Sequence, residues 1–280
     1  MDRATDPHIP FPLLNRLPTP LLRKVPAITI IFWVIKLMTT AMGESTSDYL
    51  VFHINPYVAV VVAGVGLVVA LTLQLMVRHY IPWIYWLAVT MVAVFGTMAA
   101  DVLHVVLGIP YAVSTAFFAA ALAAIFIVWQ RTEHTLSIHH IDTPRRELFY
   151  WATVMATFAL GTAVGDMTAA TLRLGYLASG ILFALLFAVP AVAYRFLGLN
   201  AIMAFWFAYI VTRPLGASFA DWFGKSALGG LGLGDATVSL VLTLLIVGFV
   251  AYLTVSPQRV PQPARAASEG VDEELSTASG

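Results

Sequence analysis

The sequence predicts an all-α integral membrane protein whose eight transmembrane helices form four parallel two-helix repeats. Hydrophobic residues make up 60% of the chain and charged residues only 11%, far from the balance of a soluble protein. A pattern of Trp, Gly ten positions later and Asp five beyond that also recurs four times, each copy at the end of an apolar run. Such internal repetition is typical of a fold that arose by duplication.

Eight apolar stretches are long enough to cross a bilayer, which takes about 20 residues. They cover residues 26–50, 57–77, 81–107, 111–130, 148–172, 175–195, 200–223 and 236–255. The predicted organisation has five parts: a cytoplasmic N-terminal arm (1–24), a first membrane half with repeats 1 and 2 (25–130), a cytoplasmic loop (131–147), a second membrane half with repeats 3 and 4 (148–255) and a disordered cytoplasmic tail (256–280). The tail has too little apolar material to pack.

The distribution of cationic residues predicts that both termini are cytoplasmic. With this orientation the outer segments carry only Arg173 and Lys225, and the other loop and terminal cations lie inside. Each repeat crosses the membrane twice, so successive repeats are parallel and their Asp residues lie at one depth, towards the outer side. The chain has no Cys, which excludes disulfides and thiolate metal sites.

The four copies of the pattern keep the same register. They are Trp33, Gly43 and Asp48; Trp86, Gly96 and Asp101; Trp151, Gly161 and Asp166; and Trp206, Gly216 and Asp221. An aromatic residue precedes each Trp: Phe32, Tyr85, Tyr150 and Phe205. We interpret the repeated Gly as a close-packing position between helices. The aromatic pair is either an interfacial belt or a helix-packing element.

Charged residues in the central parts of the apolar stretches fall on the odd-numbered ones. Residues four apart share a helical face, which gives a first polar stripe of Lys36, Thr40, Glu44 and Asp48. The corresponding stripes are Thr97 and Asp101; Thr162 and Asp166; and Tyr209, Arg213 and Asp221. A charge at a helix centre in lipid costs about 2.5–3.5 kcal/mol, so these faces should turn inward. The odd helices are therefore predicted to line the interior and the even helices to face lipid.

Convergence of these stripes would bring five carboxylates together with two cations. The candidate metal ligands are Glu44, Asp48, Asp101, Asp166 and Asp221. Carboxylate and hydroxyl oxygens suit magnesium, manganese or calcium, and also sodium or protons. The candidate accessory or ion-pairing residues are Lys36, Thr40, Thr97, Thr162, Arg213, His53 and His104. We expect Lys36 and Arg213 to pair with nearby acids. The two histidines are either metal ligands or proton relays, or interfacial hydrogen-bonding residues.

The segments from Gly43-Glu44 to Ser47-Asp48 and from Gly161-Thr162 to Gly165-Asp166 carry a resemblance to a known family. In them the chain resembles a bacterial family of polytopic membrane proteins built from a four-times-repeated two-helix segment of unknown function. The resemblance covers about residues 25–255 and implies no particular activity. It is consistent with a multi-pass protein of the bacterial inner (plasma) membrane. Thr97 and Ala217 replace Glu44 in the second and fourth copies, so the four sites differ chemically.

The leading functional hypothesis is a transporter of a cation, a divalent metal such as manganese or magnesium, with proton coupling left open. A carrier is preferred to a pore because Lys36 and Arg213 would obstruct an open cation pathway. One alternative is an intramembrane metal-dependent hydrolase using His53 and His104, although the chain has no HExxH motif. The other is a non-transporting scaffold or assembly protein. The expected partners are the lipid bilayer and the inorganic cation, without nucleic acid or a cofactor; a homo-oligomer stays open.

Overall fold

A computed structural model describes residues 24–256, and these residues form helices and loops with no strand. The long helices are α1 (Ile30–His53), α2 (Pro56–Met76), α3 (Pro82–Asp101), α4 (Tyr111–Glu133), α5 (Pro144–Asp166), α6 (Gly175–Phe196), α7 (Ala201–Gly224) and α8 (Asp235–Val255). A π-helical segment extends α3 over Val102–Val106 and α5 over Met167–Thr171. Each of the eight predicted apolar stretches forms a long helix. The predicted arm, apart from Lys24, and the predicted tail beyond Ser256 lie outside the described residues.

The helices begin at residues that suit a helix N-terminus. Four of them start after a polar residue whose side-chain oxygen accepts a hydrogen bond from a backbone N–H of the first turn. These residues are Thr29 before α1, Asn55 before α2, Thr143 before α5 and Asn200 before α7. Proline is the first residue of α2, α3 and α5, where its missing N–H has no helical partner to lose. The central loop therefore spans only residues 134–143, shorter than the predicted 131–147.

The odd-numbered helices form a closed ring in the order α1, α3, α5, α7 and back to α1. At one end of the ring, the aromatic residue before each Trp packs against the Trp of the next repeat. The ring centroids are 5.7 Å apart for Phe32–Trp86, 5.7 Å for Tyr85–Trp151, 6.2 Å for Tyr150–Trp206 and 5.8 Å for Phe205–Trp33. We call these eight residues the aromatic layer. They connect the four repeats to one another, which favours the helix-packing interpretation of the pair.

The repeated glycines lie at the four contacts between neighbouring odd helices. Each one faces the residue three positions before the Gly of the next repeat: Gly43 faces Ala93, Gly96 faces Phe158, Gly161 faces Arg213 and Gly216 faces Thr40. A Cβ atom on any of these glycines would overlap that neighbour. The absence of a side chain therefore allows the backbones to approach closely, as predicted for this position.

The even-numbered helices form an outer layer. Each packs on the odd helix of the following repeat: α2 on α3, α4 on α5, α6 on α7 and α8 on α1. The most apolar windows of α2, α4, α6 and α8 are 17–28% buried, compared with 56–72% for α3, α5 and α7. Seven helices in the described part of the chain are long and apolar enough to cross a membrane. The remaining long helix, α1, has 24 residues and carries the most polar stripe.

A buried ion pair joins the segment before α1 to α5 at the Trp end of the ring. Lys24 Nζ lies 2.5 Å from Glu147 Oε2 and donates to the Leu75 carbonyl at 3.3 Å. Gln74 Nε2 donates to the other Glu147 oxygen at 3.1 Å. The contact connects repeat 3 to the segment before α1 and to α2, and it was not among the predicted interactions.

Gly161→Ala is expected to lower stability by about 1–3 kcal/mol, because the added Cβ would overlap Arg213 Cβ and Pro214 Cδ on α7. Gly248→Ala in α8 is the matched control, since no atom of residues 24–256 lies within 4 Å of the position that an added Cβ would take there. That control should be neutral or slightly stabilising, because Ala is a better helix former than Gly. Thermal unfolding of detergent-purified protein measures both changes, and equal effects would contradict the packing role of Gly161.

Candidate functional site

The centre of the ring is occupied by Arg213 of α7, whose side chain is fully buried. Its Nη2 donates to Glu44 Oε2 at 2.6 Å, to Thr162 Oγ1 at 2.8 Å and to Thr97 Oγ1. Its Nη1 donates to the Thr40 carbonyl at 3.1 Å. We call these five residues the Arg213 network. A single guanidinium of repeat 4 thus contacts all three other repeats.

The side chains that bind Arg213 come from equivalent positions of the repeats. Glu44, Thr97 and Thr162 each follow the repeated Gly directly, and the corresponding residue of repeat 4 is Ala217. The close approach at each Gly brings the next residue towards the ring axis, where Arg213 lies. The predicted pairing of Arg213 with a nearby acid is confirmed for Glu44, at 2.6 Å.

Lys36 is buried, but the expectation that it pairs with an acid is wrong. Its Nζ lies 4.0 Å from the ring centroid of Phe158 and 4.2 Å from that of Tyr209. It has no hydrogen-bond partner among the described residues. Arg213 already binds Glu44, so Lys36 is instead held between aromatic faces, a cation–π arrangement.

The four repeated Asp residues, which we call the carboxylate layer, lie on the side of the Arg213 network opposite the aromatic layer. Carboxylate oxygens of Asp166 and Asp221 and of the neighbouring Glu44 lie within 4.8 Å of one another. These three acids come from repeats 3, 4 and 1. Glu44 and Asp221 are buried, and Asp166 is half-buried. The structure therefore brings together three of the five predicted ligands.

Asp101 completes the layer without a partner of its own. Neither Asp101 nor Asp166 makes a side-chain hydrogen bond or ion pair within residues 24–256. Asp101 is close enough to Glu44, Asp166 and Asp48 for mutual repulsion. Both residues are followed by a π-helical segment, Val102–Val106 or Met167–Thr171, whereas α1 and α7 remain α-helical beyond their Asp. Such π-helical turns are frequent at functional sites.

Lys225 is a third cation of the site, although it was predicted only to lie in an outer loop. Its Nζ lies 2.8 Å from Asp221 Oδ1 and 2.9 Å from Asp48 Oδ2, so it bridges repeats 4 and 1. Burial opposes the charged form, but Asp221 and Asp48 outweigh it and raise the pKa of Lys225 well above its usual value. The ammonium therefore stays charged. The four-residue spacing from Asp221 is the signal that could have identified it.

The two candidate histidines lie apart from the carboxylate layer. His53 is exposed, its Nδ1 is 2.9 Å from the Tyr49 carbonyl, and its ring stacks on Tyr49 at 4.2 Å. His104 has Nδ1 2.9 Å from the Ile109 carbonyl and Nε2 3.1 Å from Ser114 Oγ. In the described part of the chain, the group of acids within metal-binding reach contains no histidine. The structure thus favours the hydrogen-bonding interpretation of both residues.

The charges of the site do not balance. The five predicted carboxylates share the bundle with three cations, Lys36, Arg213 and Lys225, which leaves two negative charges when every group is ionised. Buried charges are stable only when they are paired and hydrogen-bonded. A divalent cation or two protons would neutralise the excess.

Comparison with known proteins identifies the repeat. The family described as Repeat of Unknown Function (DUF347) matches residues 31–80, 84–135, 149–198 and 204–258. The four matches correspond to the pairs α1–α2, α3–α4, α5–α6 and α7–α8. The chain belongs to this repeat family, as the sequence resemblance implied. No curated protein and no solved structure matches the chain.

Arg213→Met is expected to cost about 3–5 kcal/mol of stability, because it leaves Glu44 buried without its cation. Adding Glu44→Gln should recover part of that loss, since the amide needs no counter-charge. Unfolding of the two single variants and the double variant in detergent gives the coupling energy between the residues.

Arg145→Met is the matched control for Arg213→Met. Arg145 is 71% exposed and lies 3.6 Å from Glu133, so its loss should cost less than about 1 kcal/mol. A loss for Arg213→Met as small as that of the control would contradict the central role of the Arg213 network.

Proposed function

We propose that this protein is a membrane transporter of a divalent cation such as manganese or magnesium, with the carboxylates around Asp166 as its substrate site. The observation that carries the proposal is the 4.8 Å convergence of oxygens from Glu44, Asp166 and Asp221. Hard cations bind carboxylate oxygens at about 2.1–2.6 Å, so opposite ligands lie about 4–5 Å apart. The observed spacing fits such an ion.

The unbalanced charge supports a cation as the substrate. Asp101 and Asp166 form no ion pair within the described ranges, although both lie in helices that pack inside the bundle. A bound divalent ion would neutralise the two excess negative charges. Protons could neutralise the same carboxylates when the ion leaves, which is the basis for proton coupling in this proposal.

A carrier agrees better with the geometry than an open pore. On the Trp side of the carboxylate layer the axis holds Arg213, then Lys36 between Phe158 and Tyr209, and then the aromatic layer. The Arg213 guanidinium, the Lys36 side chain and close-packed rings there oppose the passage of a cation. Transport therefore requires a rearrangement of the repeats around the site.

The proposed orientation places the Trp end in the cytoplasm and the carboxylate layer towards the outer side of a bacterial inner membrane. Loop cations support it, because Arg78, Arg145 and Arg146 lie at the Trp end, with Lys225 and Arg173 at the other end. The hydrolase alternative loses support, since neither His53 nor His104 forms a hydrogen bond or ion pair with an acid among the described residues.

Asp166→Asn is expected to reduce manganese uptake into proteoliposomes at least about tenfold, because it removes one ligand charge from the proposed site. The variant should fold normally, since Asp166 has no ion pair to lose within residues 24–256. Asp142→Asn is the control: this acid pairs with Arg146 at 3.1 Å in the central loop. Unchanged manganese flux in both Asp166→Asn and Asp48→Asn would contradict the proposed substrate site and favour the alternative of a non-transporting scaffold protein.

The orientation can be tested with single cysteines, because the chain contains none. Leu197→Cys lies in the exposed loop between α6 and α7, and Ser226→Cys lies in the exposed loop between α7 and α8. A membrane-impermeant maleimide added to intact cells should label position 226 and not position 197. The opposite pattern would reverse the orientation.

A further inference from the structure

We infer that Lys225 is a tethered cation that competes with the transported ion, and that it transfers from Asp221 to Asp235 when the ion binds. The inference rests on the proposed function and adds the mechanism by which the site opens to its substrate. Two observations carry it. The Lys225 ammonium contacts Asp221, which is also a proposed ligand of the ion, and the neighbouring Asp235 carboxylate has an oxygen without a hydrogen-bond partner among the described residues.

Asp221 cannot bind the Lys225 ammonium and a divalent ion fully at the same time. It belongs to the group of oxygens within 4.8 Å of one another, and its Oδ1 is also 2.8 Å from Lys225 Nζ. A divalent ion bound to Asp221 would lie within about 5 Å of that ammonium, given usual metal–oxygen distances. Charges of the same sign at that separation repel strongly in a partly desolvated site. Ion binding therefore requires the ammonium to leave.

The side chain of Lys225 can leave while its backbone stays in place. The loop after α7 folds back on the helix end, with Gly232 N donating to the Lys225 carbonyl at 3.1 Å and Gly234 N to the Gly224 carbonyl at 3.0 Å. The Lys225 side chain is 26% exposed, so its flexible stem has access to space outside the site. Arg213, by contrast, is fully buried and held by four hydrogen bonds.

Asp235 supplies the alternative partner. It is the first residue of α8, and its Oδ1 is buried without a hydrogen-bond partner in the described part of the chain. That oxygen lies against Gly224, where a Cβ atom would overlap it, and Gly224 directly precedes Lys225. Asp235 also interacts electrostatically with Lys225 in the present conformation. An ammonium displaced from Asp221 thus finds an uncompensated carboxylate next to its own backbone.

Two further groups lie near the transfer path. The Tyr176 ring centroid is 5.8 Å from Lys225 Nζ and offers an aromatic face beside the site. His53 interacts electrostatically with Asp235 from the end of α1. Neither forms an ion pair with Lys225, and Asp48, which does, is itself one of the predicted ligands of the site. Among the described residues, Asp235 is therefore the acid outside the ligand set that can receive the ammonium.

The test is the binding of Mn²⁺ to the purified full-length protein in detergent, with free Mn²⁺ measured by electron paramagnetic resonance. Lys225→Gln keeps hydrogen-bond donors but removes the charge. It should tighten Mn²⁺ binding about tenfold, because the ion no longer competes with an ammonium for Asp221. Lys225→Met provides a second charge-free variant should the first fold poorly. Arg173→Met is the matched control, because it removes the other outer cation; it should change affinity less than about twofold.

Asp235→Asn distinguishes transfer from general electrostatics. In the wild-type background it should weaken Mn²⁺ binding several-fold, because the displaced ammonium loses its destination. In the Lys225→Gln background it should have no effect. Equal weakening in both backgrounds would overturn the transfer to Asp235.

The outcomes separate this inference from the proposed function. Wild-type protein that binds Mn²⁺, with Lys225→Gln and Lys225→Met no tighter than Arg173→Met, would overturn the competition while leaving the cation site intact. Absence of Mn²⁺ binding in the wild type and in both Lys225 variants would overturn the cation site itself, and the competition with it.

Discussion

The interaction on which the rest of the structure depends is the contact of one guanidinium with the other three repeats. Arg213 is fully buried, and its charge is compensated by Glu44 at 2.6 Å. Hydroxyls from Thr97 and Thr162 and the Thr40 carbonyl satisfy further N–H groups. A buried cation and its acid are costly to separate, so this network requires the four repeats to meet at one axis.

The network also explains how a repeated backbone carries different chemistry in each copy. The repeated Gly gives every pair of neighbouring odd helices the same close contact. The residue after it is Glu44, Thr97, Thr162 or Ala217, and Arg213 itself replaces Thr40, Ala93 and Phe158 at the equivalent positions. One repeat supplies the cation, one the anion and two the hydroxyls. The near-fourfold arrangement of helices therefore encloses a single asymmetric site.

The layers along the axis follow from this arrangement. On the Trp side of Arg213 the axis holds Lys36 between the rings of Phe158 and Tyr209, and on the other side it holds the repeated acids. Positive charge and packed rings close one end of the axis, and negative charge accumulates at the other. An axis that attracts cations at one end and is closed at the other is expected of one state of a carrier.

Periodicity and repetition were sufficient to predict the helices and the role of the repeated Gly. They also predicted the inner and outer layers, because the polar face of a long apolar helix is costly to expose to lipid and turns towards the other helices. The partners of individual charges were less predictable. Lys36 was expected to meet an acid, but Arg213 lies nearer to Glu44, and only the relative heights of the two side chains decide between them.

Contacts between distant segments were the other part that sequence reasoning missed. Lys225 reaches Asp48 only because α7 closes the ring against α1. The Lys24–Glu147 pair likewise depends on the segment before α1 lying beside α5. The periodicity within one helix predicts neither contact, because both depend on the cyclic order of the repeats in the ring. The four-residue spacing of Lys225 from Asp221 is visible in the sequence, but its contact with Asp48 is not.

The central claim is that acids from different repeats form one cation site. Anomalous X-ray scattering from crystals of the protein soaked in Mn²⁺ measures this most directly. The account predicts a single strong peak within coordination distance of the Glu44, Asp166 and Asp221 carboxylates, with the Lys225 ammonium displaced from Asp221. A peak confined to surface loops, or none at a manganese concentration that supports uptake by the same protein, would contradict it.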